Sequence, residues 1–349
     1  MNKPVIGLML GDATGIGPEI SAKLLASPAA TQSANVVVIG DRRVLDLGIR
    51  NAGVKLGYRT IPSVDAIRWP SETLPVIDLG NIDPAHFKQG ESSAESGRLT
   101  GETLKYMIDL ALMRKIDGIC FAPLNKSAMH QGGWKFYDEH QMFAKLTAHD
   151  GFFGEMNVIR EFSTFRVTSH VALREAVNLV TPERITSAIQ LADATLRAAG
   201  YAKPRIGVAA LNPHNGENGL FGDEEIRIIR PTVEKMRAKG VNCTGPISSD
   251  AIFIKARDGE FDGVVMMYHD QGQIATKLLG FKKGVTVTAG LKTVFTTPAH
   301  GTGYDIVGLG RADPGAMEHA FRLAAQLASG KSGSGSARPD GRPPAARDT

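Results

Sequence analysis

The stretch Gly263-Val264-Val265-Met266-Met267-Tyr268-His269-Asp270-Gln271-Gly272 places a polar cluster directly after a short apolar run. An apolar run of this length with no polar face is typical of a strand buried on both sides. The polar side chains then follow at the carboxyl end of the strand, where open α/β sheets bind their ligands. A lone histidine that only hydrogen-bonds to a neighbouring loop is the alternative at such a position. The stretch therefore predicts an α/β fold with a candidate site beside His269.

The order of strand, loop and helix recurs along the chain. Other strand patterns cover residues 5–10, 36–40, 76–80, 118–122, 165–170 and 205–210. Apolar residues at helical spacing predict a long helix over residues 92–115. Thr181-Pro182-Glu183-Arg184 has the cap and the first-turn proline of another helix. This alternation predicts a parallel or mixed sheet that is layered with helices.

The composition limits the class of protein. A chain of 349 residues with 42% hydrophobic content can bury a large core, as two domains or as one bilobed unit. Its net charge of +4 is small and no basic stripe is interleaved with aromatic residues, which argues against a nucleic-acid partner. The two cysteines, Cys120 and Cys243, suggest neither a disulfide framework nor a zinc motif. Because there is no apolar leader and no run of about 18 apolar residues, we predict a cytoplasmic protein without a membrane partner.

The last residues differ in composition from the rest of the chain. From Ser329 onward Gly, Ser, Pro and Arg dominate, and no apolar periodicity remains. Such a segment cannot bury enough apolar surface to offset the entropy lost on ordering. We therefore predict a folded unit over residues 1–329 and a disordered tail over residues 330–349.

Two glycine-rich segments could lie close to a ligand. The first, residues 11–19, links a strand to a helix, but its glycines at 11, 15 and 17 do not match the dinucleotide fingerprint. The second is the loop over residues 300–314, whose closely spaced glycines would let a backbone approach a flat or phosphorylated ligand. A plain connection is the alternative for both segments. Asn125-Lys126, after another strand pattern, fits either a ligand contact or a capped helix start.

Three histidines, His170, His214 and His269, each stand just after a strand pattern. Neutral imidazoles suit a catalytic divalent metal that keeps open positions for substrate oxygens. Their spacing does not show that they meet, so separate structural histidines are the alternative. Lys277 could act as an acid or base near a metal-bound oxygen, or it could be a surface lysine. Asp250 fits a helix cap as well as a contact to metal or substrate.

Taken together, these motifs resemble the 4-hydroxythreonine-4-phosphate dehydrogenase (PdxA-like) family along residues 4 to about 328. The matching stretches are residues 11–19, 122–126, 211–217, 267–272 and 300–302. The first and last of them are also similar to segments of isopropylmalate and isocitrate dehydrogenases. The resemblance implies a two-domain α/β fold of that kind, with a cleft between two interleaved lobes within the catalytic unit 1–329, and not a Rossmann fold.

The resemblance also implies the cofactors and the reaction. The family is dimeric, and its divalent metal, with zinc favoured, would be held by His170, His214 and His269, with ligands shared across the homodimer. NAD or NADP would be the oxidant. The residues that match the family's nicotinamide site are His300, Gly301, Thr302, Asp305, Ile306 and Gly308. The reaction would oxidise a secondary alcohol beta to a carboxylate, and the resulting β-keto acid would lose CO2, with the metal assisting both steps.

The substrate contacts match the family unevenly. The family's lysine and aspartate, which we expect to be catalytic, match Lys277 and Asp250. The residues at the other substrate positions are His140, Gln141, Thr286 and Phe295. Of these, Thr286 stands in place of an asparagine and Phe295 in place of an arginine. An apolar ring cannot replace a guanidinium fork that holds a phosphate.

These departures favour a substrate without phosphate. We expect a carboxylated cis-dihydrodiol such as that of terephthalate, with Phe295 beside the ring and Arg166, Arg174 or Lys292 as candidates for pairing with a second carboxylate. The alternative is a 4-hydroxythreonine-4-phosphate dehydrogenase of pyridoxal phosphate biosynthesis, or a related 4-phospho-sugar-acid dehydrogenase. Two rivals from other classes are a phosphate acyltransferase, which would need no metal histidines, and a non-catalytic binding protein.

Overall fold

The computed structural model describes residues 3–280 and 283–330. The tail predicted over residues 330–349 therefore lies outside the described residues, apart from Gly330. The chain forms two compact units. The first unit is built from residues 1–150, 285–287 and 291–329, and the second from residues 151–284 and 288–290. Each unit contains β-strands and helices, so the predicted α/β class is confirmed.

Strands and helices lie where the sequence patterns predict them, and the structure adds strands that no predicted run covers. The strands are β1 Val5–Met9, β2 Asn35–Gly40, β3 Tyr58–Ile61, β4 Leu74–Asp78, β5 Gly118–Phe121, β6 Gly154–Val158, β7 Ser163–Arg166, β8 Ile206–Ala209, β9 Cys243–Ile247, β10 Gly263–Met266, β11 Val285–Ala289 and β12 Val294–Pro298. The helices are α1 Gly17–Ala26, α2 Pro28–Ser33, α3 Arg42–Ala52, α4 Ala94–Leu112, α5 Lys126–Gln131, α6 Glu139–Leu146, α7 Leu173–Asn178, α8 Pro182–Ala198, α9 Arg230–Ala238, α10 Ser249–Arg257, α11 His269–Gly280 and α12 Gly315–Ala328. None of the described helices is both long and apolar enough to cross a membrane.

The first unit is organised around parallel strands in the order β3-β4-β2-β1-β5-β12. This order differs from the 3-2-1-4-5-6 order of the dinucleotide-binding fold, as expected from the spacing of the first glycines. Strand β1 pairs on both sides, with β2 and β5, and four of its five residues are buried. Because parallel strands end at the same edge of a sheet, the loops after β1, β5 and β12 meet there. Those loops contain residues 11–17, Asn125 and the glycines from Gly301 onward.

Three phenylalanines join the core of the first unit. The Phe143 ring lies edge-on to that of Phe121, with centroids 5.6 Å apart, and stacks on that of Phe295 at 4.1 Å. Phe295 has 0% of its surface exposed. The expectation that Phe295 lies beside a substrate ring is therefore corrected: its side chain is packed against Phe143 inside the core and has no exposed surface to offer a ligand.

The second unit carries strands in the order β6-β7-β10-β8-β9. Strands β7, β10, β8 and β9 run parallel, whereas β6 pairs antiparallel with β7. Helix α8 begins as predicted, because Thr181 caps it by accepting a hydrogen bond from the N–H of Arg184. The parallel strands β7, β8 and β10 end at one edge, and the segments that follow them contain the three histidines singled out above.

Candidate functional site

His170 and His269 come together at the carboxyl ends of β7 and β10. A backbone hydrogen bond joins the segments that contain them: the Val167 N–H donates to the Met266 carbonyl over 2.9 Å. The two imidazole rings have centroids 5.5 Å apart and planes tilted by 41°. His269 is the first residue of α11, and its Nδ1 lies 2.7 Å from an Asp270 carboxylate oxygen. Its Nε2 is thereby left as the nitrogen that can bind another partner.

The ring separation of the pair matches that of two ligands of one divalent metal ion. Two imidazoles on a tetrahedral zinc, with Zn–N bonds of about 2.0–2.1 Å, have ring centres roughly 5 Å apart. A carboxylate on the second ring nitrogen, as Asp270 supplies for His269, is the usual partner of a metal-bound histidine. The pair therefore fits two of the ligands of a metal ion. Within residues 3–280 and 283–330, however, no group of three His, Cys, Asp or Glu side chains could hold a metal ion.

His214, the third predicted ligand, lies in a strained turn after β8. The turn spans Pro213–Gly216 and is not helical, because His214 and Asn215 have φ values of 51° and 57°, in the left-handed region. His170 also has a left-handed φ, of 46°. Left-handed backbone in residues other than glycine costs energy and persists only where surrounding contacts enforce it, most often at functional sites. The structure thus brings together two of the three predicted histidines, His170 and His269. It places the third, His214, in a turn with left-handed backbone.

Glu225 holds the His214 turn and was not singled out in the sequence. Its carboxylate has 0% exposure and accepts hydrogen bonds from the backbone N–H groups of Leu211 and Asn212, each over 2.7 Å. The Asn212 side-chain amide donates a third, over 3.0 Å. Glu225 begins a π-helix, Glu225–Ile229, a type of turn that is frequent at functional sites. In the sequence, Glu225 is one of three consecutive acidic residues, Asp223 to Glu225, with no recognisable site motif beside them.

The predicted catalytic and substrate residues are distributed over both units. In the second unit, Asp250 lies in the first turn of α10 and Lys277 on α11, and both are exposed. In the first unit, His140 is buried in α6, while Gln141 is exposed and its N–H donates to the Asp138 cap. Thr286 is buried in β11.

The three cations proposed for a second carboxylate differ in availability. Arg166 is buried, and its guanidinium already donates to Glu155, Gln273 and Ser169. A guanidinium fork that is bound in this way has little left to offer a substrate, so Arg166 is corrected from a ligand contact to a structural one. Arg174 on α7 and Lys292 before β12 are exposed.

In the first unit, a network around Tyr304 fixes the start of the loop predicted to bind nicotinamide. The Tyr304 hydroxyl donates to Asp12 over 2.5 Å and accepts from Asn125 over 2.7 Å and from Thr14 over 3.2 Å. Asp12, only 3% exposed, also accepts from Ser96 over 3.1 Å. Burial, followed by the hydrogen bond to Asp12, raises the pKa of Tyr304 above its ordinary value. Three segments far apart in sequence thus meet at one phenol.

The same loop is tied to α1 at both of its ends. At its start, Ile16 N–H donates to the Thr302 carbonyl over 2.8 Å, and a Cβ on Gly15 would lie 2.7 Å from that oxygen. At its end, Lys23 donates to the carbonyls of Gly310 and Ala312 over 3.0 and 2.7 Å. The predicted cofactor residues between these anchors include the exposed Asp305 and Gly308 and the partly buried Thr302 and Ile306. The loop is therefore preformed, with an exposed middle.

Comparison with known proteins identifies the class. The model of the family described as pyridoxal phosphate biosynthetic protein PdxA matches residues 32–324. A Pseudomonas aeruginosa relative that carries a 4-hydroxythreonine-4-phosphate dehydrogenase name is 45% identical over 329 residues, covering 93% of this chain and 97% of its own. The D-threonate 4-phosphate dehydrogenase of Cupriavidus necator is 42% identical over 327 residues, covering 93% and 97%. These matches define an oxidoreductase, a dehydrogenase. The chain belongs to the PdxA family.

Solved structures agree with this assignment. The 4-hydroxythreonine-4-phosphate dehydrogenase of Klebsiella pneumoniae is 39% identical, with a TM-score of 0.80 over 93% of this chain and 99% of that one. The terephthalate 1,2-cis-dihydrodiol dehydrogenase of Burkholderia xenovorans LB400 is 27% identical, with a TM-score of 0.66 over 93% and 98%. The family named from the sequence motifs is thus confirmed.

Proposed function

We propose that the chain is a metal- and nicotinamide-dependent dehydrogenase that oxidises a secondary alcohol of a 4-phosphorylated hydroxy acid. Candidate substrates are 4-hydroxythreonine-4-phosphate and D-threonate 4-phosphate. The observation that carries this choice is the identity, 45% and 42% over 93% of the chain, to relatives that bear these names. It reverses the order of the two substrates expected from the sequence departures alone. We also propose that the β-keto acid formed then loses CO2.

Residues of the second unit would bind the metal and transfer protons during oxidation of the alcohol. His170 and His269 would hold the metal, zinc being favoured, with Asp270 fixing the tautomer of His269. A bound metal lowers the pKa of a coordinated hydroxyl and polarises the carbonyl that forms. Lys277 and Asp250, both exposed, would transfer protons.

The residues of the first unit would serve the oxidant and the substrate. NAD or NADP would bind along the preformed loop from His300 to Gly308, whose exposed backbone lets a dinucleotide approach closely. His140, Gln141 and Thr286 would contact the substrate. Because the loop is anchored on α1 and on Asp12, little order would have to be gained when the nucleotide binds.

We propose further that the protein is a homodimer whose metal site is completed by the second copy. Large apolar side chains are exposed in the second unit near the histidines, as on α7 and α11: Leu173 (61%), Ile274 (62%) and Leu278 (82%). Exposed apolar residues of this size often mark an interface. A second copy that covers them could bring its own His214 to the pair His170 and His269.

Mixing two inactive variants tests the shared site. His214→Ala and His269→Ala should each be inactive. If the ligands come from two chains, a mixed dimer contains one intact site, and random mixing should restore about a quarter of the wild-type activity. If all ligands come from one chain, mixing restores nothing and the shared site is refuted. Light scattering on the wild-type protein measures the dimer independently.

The dehydrogenase proposal is tested by following reduced nicotinamide. Purified protein with NAD or NADP and Zn2+ should turn over at least one of the two phosphate esters, and the activity should disappear on chelation and return with metal. Labelled CO2 from a substrate carrying 13C at its carboxylate measures decarboxylation. Full activity in metal-free protein would refute the role of the metal.

A second candidate substrate is an unphosphorylated carboxylated cis-dihydrodiol. It is favoured by Phe295, which stands where the resemblance places a phosphate-binding arginine and whose buried ring can bind no anion. The structural likeness to the terephthalate dihydrodiol enzyme, at 27% identity, agrees with it. Comparing kcat/KM for terephthalate dihydrodiol and for the two phosphate esters decides between the candidates.

A further inference from the structure

Besides the backbone hydrogen bonds at the strand ends, the guanidinium of Arg166 connects the two segments that carry the histidine pair. Arg166 is the last residue of β7, and its side chain is only 2% exposed. One Nη donates to Glu155 over 2.6 Å and the other to Gln273 over 3.0 Å. Ser169 accepts a further hydrogen bond over 3.3 Å. The planar fork of arginine can hold such partners at fixed angles to one another.

Each partner of Arg166 belongs to a different part of the candidate site. Glu155 is on β6, which pairs antiparallel with β7, and continuing the register of Asn157 with Thr164 places it opposite Arg166. Ser169 immediately precedes His170. Gln273 lies one helical turn after His269 on α11, so it shares a face of that helix. The guanidinium therefore links the His170 loop to the helix that begins with His269, and the β6–β7 ladder holds it in place.

We infer that Arg166 is a positioning residue for the metal pair: it fixes the 5.5 Å ring separation of His170 and His269 by tying both segments to Glu155. This inference rests on the metal role proposed above. Backbone hydrogen bonds join the two segments only as far as Thr168 and Met267. The Arg166 tie therefore acts on the residues beyond them, where His170 has an unfavourable φ of 46° and an exposed side chain. Partners that orient metal ligands typically contribute about 10- to 100-fold in metal affinity.

Two variants weaken the tie in different ways. Arg166→Lys keeps the positive charge next to Glu155 but has no fork, so it can reach one partner at a time. Gln273→Met keeps the length of the side chain and removes the acceptor on α11, while Arg166 stays bound to Glu155. If Arg166→Lys does not fold, Gln273→Met alone decides the question.

Arg205 provides the matched control. It forms a two-pronged pair with Asp262, over 2.7 and 3.1 Å, in the same unit. This pair lies just before β8 and β10 begin, at the opposite ends of the strands from the histidines. Arg205→Lys therefore removes a comparable fork and lowers stability without touching the candidate site.

The measurement is the titration of the full-length metal-free protein with Co2+, followed by calorimetry and by the visible absorption of the bound ion. Arg166→Lys and Gln273→Met should bind about tenfold more weakly or worse, with an altered spectrum, and Arg205→Lys should match the wild type. Unchanged affinity and spectrum in the first two variants, or an equal loss in Arg205→Lys, would overturn the positioning role. Wild-type protein that binds no Co2+ would instead overturn the proposed metal function.

Discussion

Replacing Tyr304 with phenylalanine should weaken nucleotide binding. The substitution removes one oxygen, and with it the 2.5 Å hydrogen bond to the buried Asp12 carboxylate and the acceptor used by Asn125. The ring can stay in place, since no atom is added. What is lost is the link that holds the start of the glycine loop to the loops after β1 and β5.

The magnitude follows from the contacts that remain. A hydrogen bond to a charged group contributes about 1.5–3 kcal/mol, which corresponds to roughly 10- to 150-fold in a binding constant. The loop keeps its bond from Ile16 to Thr302 and its anchor on Lys23, so its order is not lost entirely. Asp12 also keeps its bonds from the Thr14 backbone N–H and from Ser96. We therefore expect the lower end of the range, a dissociation constant for NAD or NADP that is about tenfold larger than in the wild type.

Tyr58 gives a control of the same chemistry. Its hydroxyl donates to the Asp46 carboxylate over 2.8 Å in the first unit, outside the glycine loop. Calorimetric titration with the nucleotide should give a weaker constant for Tyr304→Phe and the wild-type constant for Tyr58→Phe, while thermal unfolding shows the loss of stability in each. Equal nucleotide affinity in wild type and Tyr304→Phe, with only the melting temperature lowered, would show that the phenol serves the fold and not the cofactor.

Other consequences can be measured on the same protein. Phe295→Ala should lower the free energy of unfolding in urea by about 3–5 kcal/mol, because it empties a fully buried aromatic site; a loss below 1 kcal/mol would contradict the core assignment. Glu225→Gln should lower the free energy of unfolding by about 1–3 kcal/mol, because the new NH2 group would face the NH2 group of Asn212 where the carboxylate now accepts a hydrogen bond. The same substitution should weaken Co2+ binding if His214 is a ligand. Burial and then the hydrogen bond to Asp12 raise the pKa of Tyr304 above its ordinary value of 10. The neutral phenol therefore contributes its full stabilisation of the folded protein below pH 10, and this stabilisation is lost as the pH rises through the pKa of the folded state. Nucleotide affinity should accordingly show an alkaline decline in the wild type that is absent from Tyr304→Phe.

The class of fold was predictable because local patterns determine it. Buried strands with no polar face, a Thr-Pro helix start and glycines at strand ends are all short-range features, and β1, β10 and α8 form where these patterns lie. The strand order was not predictable in this way, since it depends on which strands pair across long stretches of chain. Strand β12, for example, pairs with β5 more than 170 residues earlier.

The same distinction between local patterns and long-range pairing applies to the candidate site. His170 and His269 were recognisable as strand-end histidines, but only the pairing of β7 with β10 makes them neighbours. Phe295 was misjudged because a position in a motif does not reveal burial, which here depends on Phe143 from a distant helix. Tyr304 and Asp12 are 292 residues apart, and each lies in a glycine-rich segment whose partner the sequence does not name.

The return of the chain to the first unit after residue 284 has a consequence for synthesis on the ribosome. Residues 1–150 emerge first, but β12 and α12, which complete that unit, are encoded after the whole second unit. Until β12 is made, β5 lacks its pairing partner on one side, although all four of its residues are buried in the finished protein. An unpaired strand edge of this kind can pair with other chains. At about 5–20 residues per second, the intervening residues take roughly 7–27 s to translate. During that interval the nascent first unit is most exposed to aggregation and most in need of a chaperone, and a fragment ending at residue 150 would remain in that state permanently.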